Sequence, residues 1–142
     1  MILNLLLGFD LLVSSSIPQG TNSLDTPSGL SIAINQRYYI DCCLIFSDYK
    51  RSNYEIKMYG LTAGKEFILL NHLSILPEVG ALKISRERTN NQETGFSPVF
   101  SLRLLYLFPS ESPQFQIGFT LKEIFDEEID VDFLDIGIGF RL

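Results

Sequence analysis

The chain has 142 residues, of which 46% are hydrophobic and 20% are charged, and its formal net charge at pH 7 is −6. This length predicts one domain, residues 1–142, and the acidic balance argues against nucleic acid as a partner, because a phosphate backbone requires a basic surface. No unbroken apolar run reaches the ~20 residues of a transmembrane helix, so the hydrophobic residues must follow another pattern.

The first element is predicted from Leu3 to Val13, where apolar residues alternate with polar or small ones as they do in a β-strand. This stretch does not have the composition of a signal peptide, because the first basic residue of the chain is Arg37 and Asp10 interrupts the apolar part. The residues from Ser14 to Ser28 are mostly Ser, Pro, Gly, Thr, Asn and Asp, and they predict a long polar loop.

The same alternation continues through seven further segments, with Leu, Ile, Val, Phe or Tyr on one face and small or charged residues on the other. Both facings fit the third strand. The predicted strands after the first are Gly29–Tyr39, a third strand from the turn at Ile40–Cys42 to Lys50, a fourth around Tyr59–Phe67, Leu73–Arg88, Ser97–Phe108, Gln114–Phe125 and Val131–Leu142. The predicted connections between them include Leu69–His72, Thr89–Gly95, Pro109–Pro113 and Asp126–Asp130.

Eight strands without a helix indicate a barrel, and the bulk of the apolar faces indicates which way the barrel faces. An eight-stranded barrel has room inside for only a limited number of side chains, whereas lipid outside accommodates any number of large apolar residues. The pattern therefore predicts an all-β fold, a closed antiparallel eight-stranded up-and-down transmembrane β-barrel. Aromatic residues collect near both ends of the predicted strands and predict two girdles, one with Tyr38, Tyr39, Phe67, Tyr106, Phe108, Phe115 and Phe140, the other with Phe9, Tyr49, Tyr54, Phe96, Phe100 and Phe125.

The last strand alternates up to its final residue, as expected of a strand that closes the barrel against the first. Its outward residues Ile136, Ile138, Phe140 and Leu142 resemble the C-terminal assembly signal of bacterial outer-membrane barrels, although that signal ends in an aromatic residue and Phe140 stands two residues earlier. The segment GLTAGKEF, Gly60–Phe67, also resembles strands of these proteins.

The whole chain resembles the small eight-stranded outer-membrane barrels of the OmpA/OmpX type. That resemblance implies a bacterial outer-membrane location, a signal peptide that preceded Met1, and termini and short turns that face the periplasm. It also implies outer-membrane lipid and lipopolysaccharide as surroundings and the barrel-assembly machinery as a partner during insertion. A larger membrane complex is a further expected partner.

Charged residues on the inward faces are expected to pair, since an isolated charge in a narrow lumen costs several kcal/mol. We expect Glu78 and Arg103 to be neighbours at mid-height. Near the turns we expect Glu66 with Arg37 and Arg141, and near the opposite end we expect Asp10, Lys122 and Asp135. Three layers of ion pairs predict a plugged lumen without an open channel.

Residues with catalytic or metal-binding chemistry are few. His72 and Ser74 share a strand face and resemble the His-Ser pair of an outer-membrane lipid A deacylase of the PagL type, with Ile75 where that motif has Asn and with Glu78 as the nearest acid. The adjacent Cys42 and Cys43 point to opposite faces, which argues against a disulfide and, without further ligands, against zinc.

An acidic cluster in the last loop consists of Asp126, Glu127, Glu128, Asp130 and Asp132. It predicts a solvated loop rather than a calcium site, because it lacks EF-hand spacing. No metal and no cofactor are expected.

Three functions fit the sequence. The first is a non-enzymatic outer-membrane barrel that acts as a structural or accessory subunit of an envelope complex or through its external loops. The second is a lipid A or lipid hydrolase, and the third is a soluble lipocalin-type lipid-binding barrel, which needs the opposite facing of every strand.

Overall fold

A computed structural model describes residues 8–19, 29–37, 39–51, 54–88, 91–109, 114–125 and 132–142. These residues form strands and their connections. No helix in these ranges is long and apolar enough to cross a membrane. The strands are β1 (Phe9–Gln19), β2 (Gly29–Gln36), β3 (Asp41–Arg51), β4 (Tyr54–Gly64), β5 (Phe67–Leu70), β6 (Leu73–Arg88), β7 (Asn91–Leu107), β8 (Gln114–Ile124) and β9 (Asp132–Arg141).

The strands form one antiparallel sheet that closes on itself. Their order is β4-β3-β2-β1-β9-β8-β7-β6-β5, and β4 also pairs with β6. β4 and β5 lie one after the other along β6, β4 from Tyr54 to Gly64 and β5 along the beginning of β6, so together they fill one position of the barrel. The prediction of a closed antiparallel eight-stranded barrel is confirmed.

The barrel has two distinct ends. The turn side carries the connections β2–β3, β5–β6 and β7–β8, together with Gly8 and Leu142, which are joined by a hydrogen bond from the Gly8 amide to the Leu142 carbonyl at 3.0 Å. The loop side is the opposite end. β1 and β9 pair from Asp10↔Arg141 to Gln19↔Asp132, so the last strand closes the barrel against the first as the sequence predicts.

The first strand begins and ends later than predicted. β1 starts at Phe9, and Leu3–Leu7 of the predicted strand lie outside the described residues. The prediction of a loop from Ser14 was wrong as far as Gln19, where β1 still pairs with β9. Serine favours turns through its local hydrogen bonds, but here Ser14 and Ser16 are buried and face the lumen, which is the side of the strand where polar residues belong.

The hairpin between β6 and β7 is also longer than predicted. The two strands pair up to Arg88↔Asn91, so the predicted loop Thr89–Gly95 was wrong for residues 91–95. Two of the connections on the loop side, β3–β4 and β6–β7, thus leave only two residues between paired strands. Polar composition marked this segment as a loop, but at the aqueous end of a barrel both faces of a strand can be polar.

The facing of the side chains is that of a transmembrane barrel. Large apolar residues are exposed on the outer wall, among them Leu102, Leu104, Phe119, Leu121 and Ile138, while charged residues are buried inside. This facing is the opposite of what a soluble lipocalin-type barrel requires. β3, whose facing the sequence left open, turns Asp41, Cys43, Ile45, Ser47 and Tyr49 inward.

The aromatic prediction was wrong at three residues, Tyr49, Tyr54 and Phe9, and Tyr38 lies outside the described residues. Tyr54 is half-buried and packs against the inner apolar cluster. Tyr49 is fully buried in the lumen and not part of a girdle. Phe9 is the first residue of β1 and lies on the turn side, where it pairs with Gln36.

The interior is polar over part of its height and apolar towards the loop side. Near the β3–β4 connection, Tyr49, Ile56 and Met58 pack in one buried cluster with inward residues of the other strands. The other members of this cluster nearest the loop side are Leu82, Ile84, Val99, Ile124 and Phe133. The alternation in the sequence did not reveal this second, inner apolar surface.

Glycine is required where β9 approaches β1. A Cβ atom on Gly139 would lie 2.9 Å from the Leu12 Cα and closer still to the Leu11 carbonyl oxygen, and backbone atoms cannot move aside as a flexible side chain can. At Gly95 a Cβ atom would meet nothing within 4 Å.

We therefore expect Gly139→Val to lower the free energy of unfolding by about 3 kcal/mol, the upper part of the range for overpacking. The matched variant Gly95→Val should stay within about 0.5 kcal/mol of the parent. Urea unfolding in lipid vesicles, followed by circular dichroism, measures both. Equal stability of the two variants would show that the β1–β9 contact is looser than described.

Candidate functional site in the barrel lumen

The candidate site is the polar part of the lumen, where the structure places all eight charged residues named from the sequence. Six of them are buried and two, Arg37 and Glu66, are half-buried. Every one has a partner of opposite charge within 4 Å. The buried six are Asp10, Glu78, Arg103, Lys122, Asp135 and Arg141.

On the turn side, Arg141 bridges two carboxylates. Its Nε and Nη2 donate to Asp10 Oδ1 and Oδ2 at 3.1 and 3.0 Å, a bidentate pair, and its Nη1 donates to Glu66 Oε2 at 3.2 Å. Its Nη2 also contacts Glu66 Oε1. Arg37 Nε lies 3.2 Å from Asp10 Oδ1, and Arg37 Nη2 donates to the Leu142 carbonyl at 3.1 Å. This cluster joins β1, β9 and the segments that follow β2 and β4.

Asp10 was predicted at the opposite end, next to Lys122 and Asp135, and that placement was wrong. The predicted strand began at Leu3, which put Asp10 far along it. In the structure β1 begins at Phe9, so Asp10 is the second residue from the turn side and pairs directly with Arg141.

At mid-height, Glu78 and Arg103 form the second layer. Arg103 Nη1 lies 3.6 Å from Glu78 Oε1, and the Thr62 and Ser101 hydroxyls donate to Glu78 Oε2 at 2.9 and 3.2 Å. Arg103 Nε donates to Thr120 Oγ1 at 3.2 Å. The two residues are neighbours on adjacent strands, as the sequence predicts.

The thiol of Cys43 completes this layer. Arg103 Nη1 and Nη2 lie 3.9 and 3.8 Å from Cys43 Sγ. Cys42, the next residue back along the strand, is exposed, and both thiols are free. The prediction that the adjacent cysteines face opposite sides without a disulfide is confirmed.

Towards the loop side, Lys122 and Asp135 form the third layer. Lys122 Nζ lies 2.8 Å from Asp135 Oδ2 and 3.4 Å from both Ser47 Oγ and Tyr49 OH. Ser16 Oγ donates to Asp135 Oδ1 and lies 2.7 Å from Tyr49 OH.

Sequence reasoning missed Tyr49 because both facings fitted β3. The paired polar residues Ser47 and Tyr49, spaced two apart, are the signal that points to the observed facing. The Tyr49 ring then packs on Phe133 at 4.6 Å between centroids, so Tyr49 joins the polar layer to the apolar cluster on the loop side.

The structure describes some of the residues considered for metal and hydrolase chemistry. Within the described residues, no group of three or more His, Cys, Asp or Glu side chains is placed to hold a metal ion. Of the acidic cluster, Asp126, Glu127, Glu128 and Asp130 lie outside the described residues, and Asp132 is the first residue of β9.

The His72 and Ser74 side chains are not brought together. Ser74 is buried and its Oγ donates to Glu66 Oε1 at 3.1 Å, while His72 lines an open depression next to Tyr106. Glu78, the nearest acid in the sequence, is engaged with Arg103. The Ser74 hydroxyl is thus engaged with a carboxylate of the turn-side cluster.

The predicted assembly segment lies on the outer wall. Ile136, Ile138, Phe140 and Leu142 are all exposed there, and Phe140 contacts Phe115 edge-on at 4.8 Å. Recognition of this segment by an assembly machinery stays a prediction.

Solved structures share this arrangement of strands over nearly the whole chain. Ail of Yersinia pestis in a phospholipid nanodisc has 14% identity and a TM-score of 0.64, over 94% of this chain and 98% of that one. The chain has the fold of the small outer-membrane eight-stranded barrels. Neisserial surface protein A matches this barrel with 15% identity and a TM-score of 0.60, over 94% of this chain and 95% of that one.

The N-terminal β-barrel domain of Pseudomonas aeruginosa OprF shows 13% identity to this barrel and a TM-score of 0.58, over 94% of this chain and 97% of that one. No protein-family model matches the sequence, and no curated protein sequence matches it. The shared property of this barrel and these structures is therefore the fold.

The mid-height pair gives a test of the lumen. We expect Arg103→Met to lower the free energy of unfolding by about 3–5 kcal/mol, because it leaves the buried Glu78 carboxylate without its partner. The double variant Arg103→Met with Glu78→Leu should cost less, since no unpaired charge remains. Urea unfolding in vesicles gives both values.

Lys57→Met is the matched control, because Lys57 forms an exposed ion pair with Glu55 at 3.1 Å on the outer wall. It should leave the unfolding midpoint almost unchanged. A double variant as unstable as Arg103→Met alone would contradict the coupling between Arg103 and Glu78.

The hydrolase alternative has its own test. We expect purified barrels to release no fatty acid from lipid A, and we expect the His72→Ala and Ser74→Ala variants to match the parent in this assay. Mass spectrometry of lipid A incubated with the protein measures this. Deacylation by the parent that is lost in either variant would reverse this prediction.

Proposed function

We propose that the protein is a non-enzymatic integral barrel of the bacterial outer membrane with a closed lumen, which acts as a structural or accessory subunit of an envelope complex. The observation that carries the proposal is the filling of the lumen by paired charges beneath an apolar cluster. The outward apolar wall and the likeness in fold to outer-membrane barrels support the location. A signal peptide and insertion by the barrel-assembly machinery belong to the same proposal.

Side chains occupy the lumen at every level between the turn side and the loop side, and this supports a closed lumen. The Asp10–Arg141–Glu66 cluster spans the turn side, and the Glu78–Arg103 pair crosses the middle. Above the Lys122–Asp135 pair, the buried rings of Tyr49 and Phe133 and their aliphatic neighbours fill the section towards the loop side. An ion that followed this path would have to break buried ion pairs and then cross an apolar section, and both steps are unfavourable.

The accessory role is supported by the shortness of two connections on the loop side. β3–β4 and β6–β7 each leave two residues between paired strands, which offers a small surface for binding a ligand through loops. At these two hairpins the barrel exposes chiefly its lipid-facing wall and its rim, and those are the surfaces that a membrane subunit uses.

Planar-bilayer recording tests the closed lumen. We expect refolded protein to give no steady single-barrel conductance. Barrels that shift in gel mobility upon heating serve as the control, because the shift shows that the inserted protein is folded. Reproducible unitary current steps from such barrels would contradict the proposal.

Isolation from native membranes tests the accessory role. After mild solubilisation and chemical crosslinking we expect the barrel in a complex of fixed stoichiometry and fixed composition. A barrel that stays monomeric under conditions that preserve known envelope complexes would argue for action through the external loops.

A further inference from the structure

The short strand β5 presents apolar side chains that nothing in the described part of the chain covers. After the interruption at Lys65–Glu66, β5 pairs only with the beginning of β6. Phe67, Ile68, Leu69 and Leu70 are 55%, 76%, 53% and 68% exposed. Four successive exposed apolar residues at the rim of a barrel mark a surface that contacts lipid or another molecule.

A pocket of about 490 Å³ adjoins this strand, within the range of about 300–1,000 Å³ that holds small ligands. Its walls are chiefly apolar, and its two polar residues lie at the β5–β6 turn. The pocket is lined by Leu69, Leu70, Asn71, His72, Leu73 and Tyr106. This lining suits a ligand with an apolar part and a polar end.

The position of the pocket identifies the ligand class. Tyr106 belongs to a row of exposed aromatic residues on the outer wall, in contact with Phe108 at 5.2 Å, and Phe108 contacts Phe115 at 6.4 Å between ring centroids. Such rows lie where the acyl chains of a bilayer meet the headgroups. The pocket is continuous with this wall and opens at the same depth.

We propose that this pocket binds one phospholipid of the leaflet on the turn side. One acyl chain packs against Leu69, Leu70, Leu73 and Tyr106. The Asn71 amide and the His72 imidazole donate hydrogen bonds to the phosphate or ester oxygens at the rim. This inference rests on the proposed membrane location, and it gives His72 a role other than catalysis.

The chain contains no tryptophan, so a single introduced tryptophan reports on one position. Tyr106→Trp places the reporter in the pocket wall. Phe115→Trp places it on the same aromatic row outside the pocket, and the two parent residues are both 42% exposed. The barrels are held in dodecyl maltoside micelles and titrated with a phosphatidylethanolamine that carries bromine on its acyl chains, which quenches tryptophan fluorescence on contact.

We expect saturable quenching of Trp at position 106 at mole fractions of brominated lipid that barely quench Trp at position 115. Asn71→Ala with His72→Ala, in the Tyr106→Trp background, should raise the half-quenching fraction roughly tenfold, the effect of losing about two hydrogen bonds. Heat-shifted gel mobility shows that each variant is folded.

Equal quenching at the two positions at every fraction would overturn the proposal, because it indicates general lipid contact only. An unchanged half-quenching fraction in the Asn71 and His72 variant would overturn the role of the rim. A further measurement uses vesicles made wholly of brominated lipid. Quenching at position 115 without quenching at position 106 would show that the β5–β6 hairpin lies outside the lipid, and it would indicate a protein partner instead. Absence of quenching at both positions would contradict the membrane location itself.

Discussion

The structure depends on one constraint, which is that every backbone amide and carbonyl within a bilayer must have a partner inside the protein. A sheet meets this constraint only by closing, and here closure is the pairing of β1 with β9 over ten residue pairs. The side chains reinforce the same seam. Asp10 and Arg141 are opposite each other on the two strands and form a bidentate ion pair, and Gly137 and Gly139 allow the strands to approach closely.

Closure in turn decides what fills the interior. A ring of eight strands is too narrow to hydrate isolated charges, so a charged side chain that points inward needs an opposite charge or a hydrogen-bond partner inside the protein. Asp41 has such a partner in the Glu66 amide, which donates to its Oδ2 at 3.0 Å. Arg103, Lys122 and Arg141 each pair with a carboxylate of the neighbouring strand. Their further contacts, Arg141 with Glu66, Lys122 with Tyr49 and Arg103 with Cys43, tie distant parts of the sheet together across the lumen. The pairing of Tyr49 with both Ser16 and Phe133 shows how the polar layers pass into the apolar section without leaving a buried hydroxyl unsatisfied.

Much of this architecture could be predicted from the sequence because a residue period of two is a direct record of strand facing. The last strand, the neighbours Glu78 and Arg103 and the Lys122–Asp135 pair follow from that period and from counting along strands.

Counting fails where a strand end is misplaced. Asp10 was assigned to the wrong layer because the predicted start of β1, Leu3, lies six residues before the observed start, Phe9. Composition also misleads at strand ends, since Ser14–Gln19 and Asn91–Gly95 have loop-like residues but are held in the sheet by cross-strand pairing. Tyr49 was wrongly assigned to a girdle because an apolar cluster inside the barrel removes the contrast between the two faces of β3.

The row of exposed residues on β7 has a consequence for the bilayer that this barrel fits. Its outward apolar residues run from Phe96 to Phe108, about 40 Å along the strand at ~3.3 Å per residue. At a strand tilt of ~40° this corresponds to roughly 30 Å along the barrel axis. A belt of that height matches a hydrocarbon core of about 30 Å and creates hydrophobic mismatch in a thinner or a thicker one. A thicker membrane would have to compress around the barrel at a cost that rises with each ångström, so the height of one row of side chains selects among membranes independently of any targeting signal.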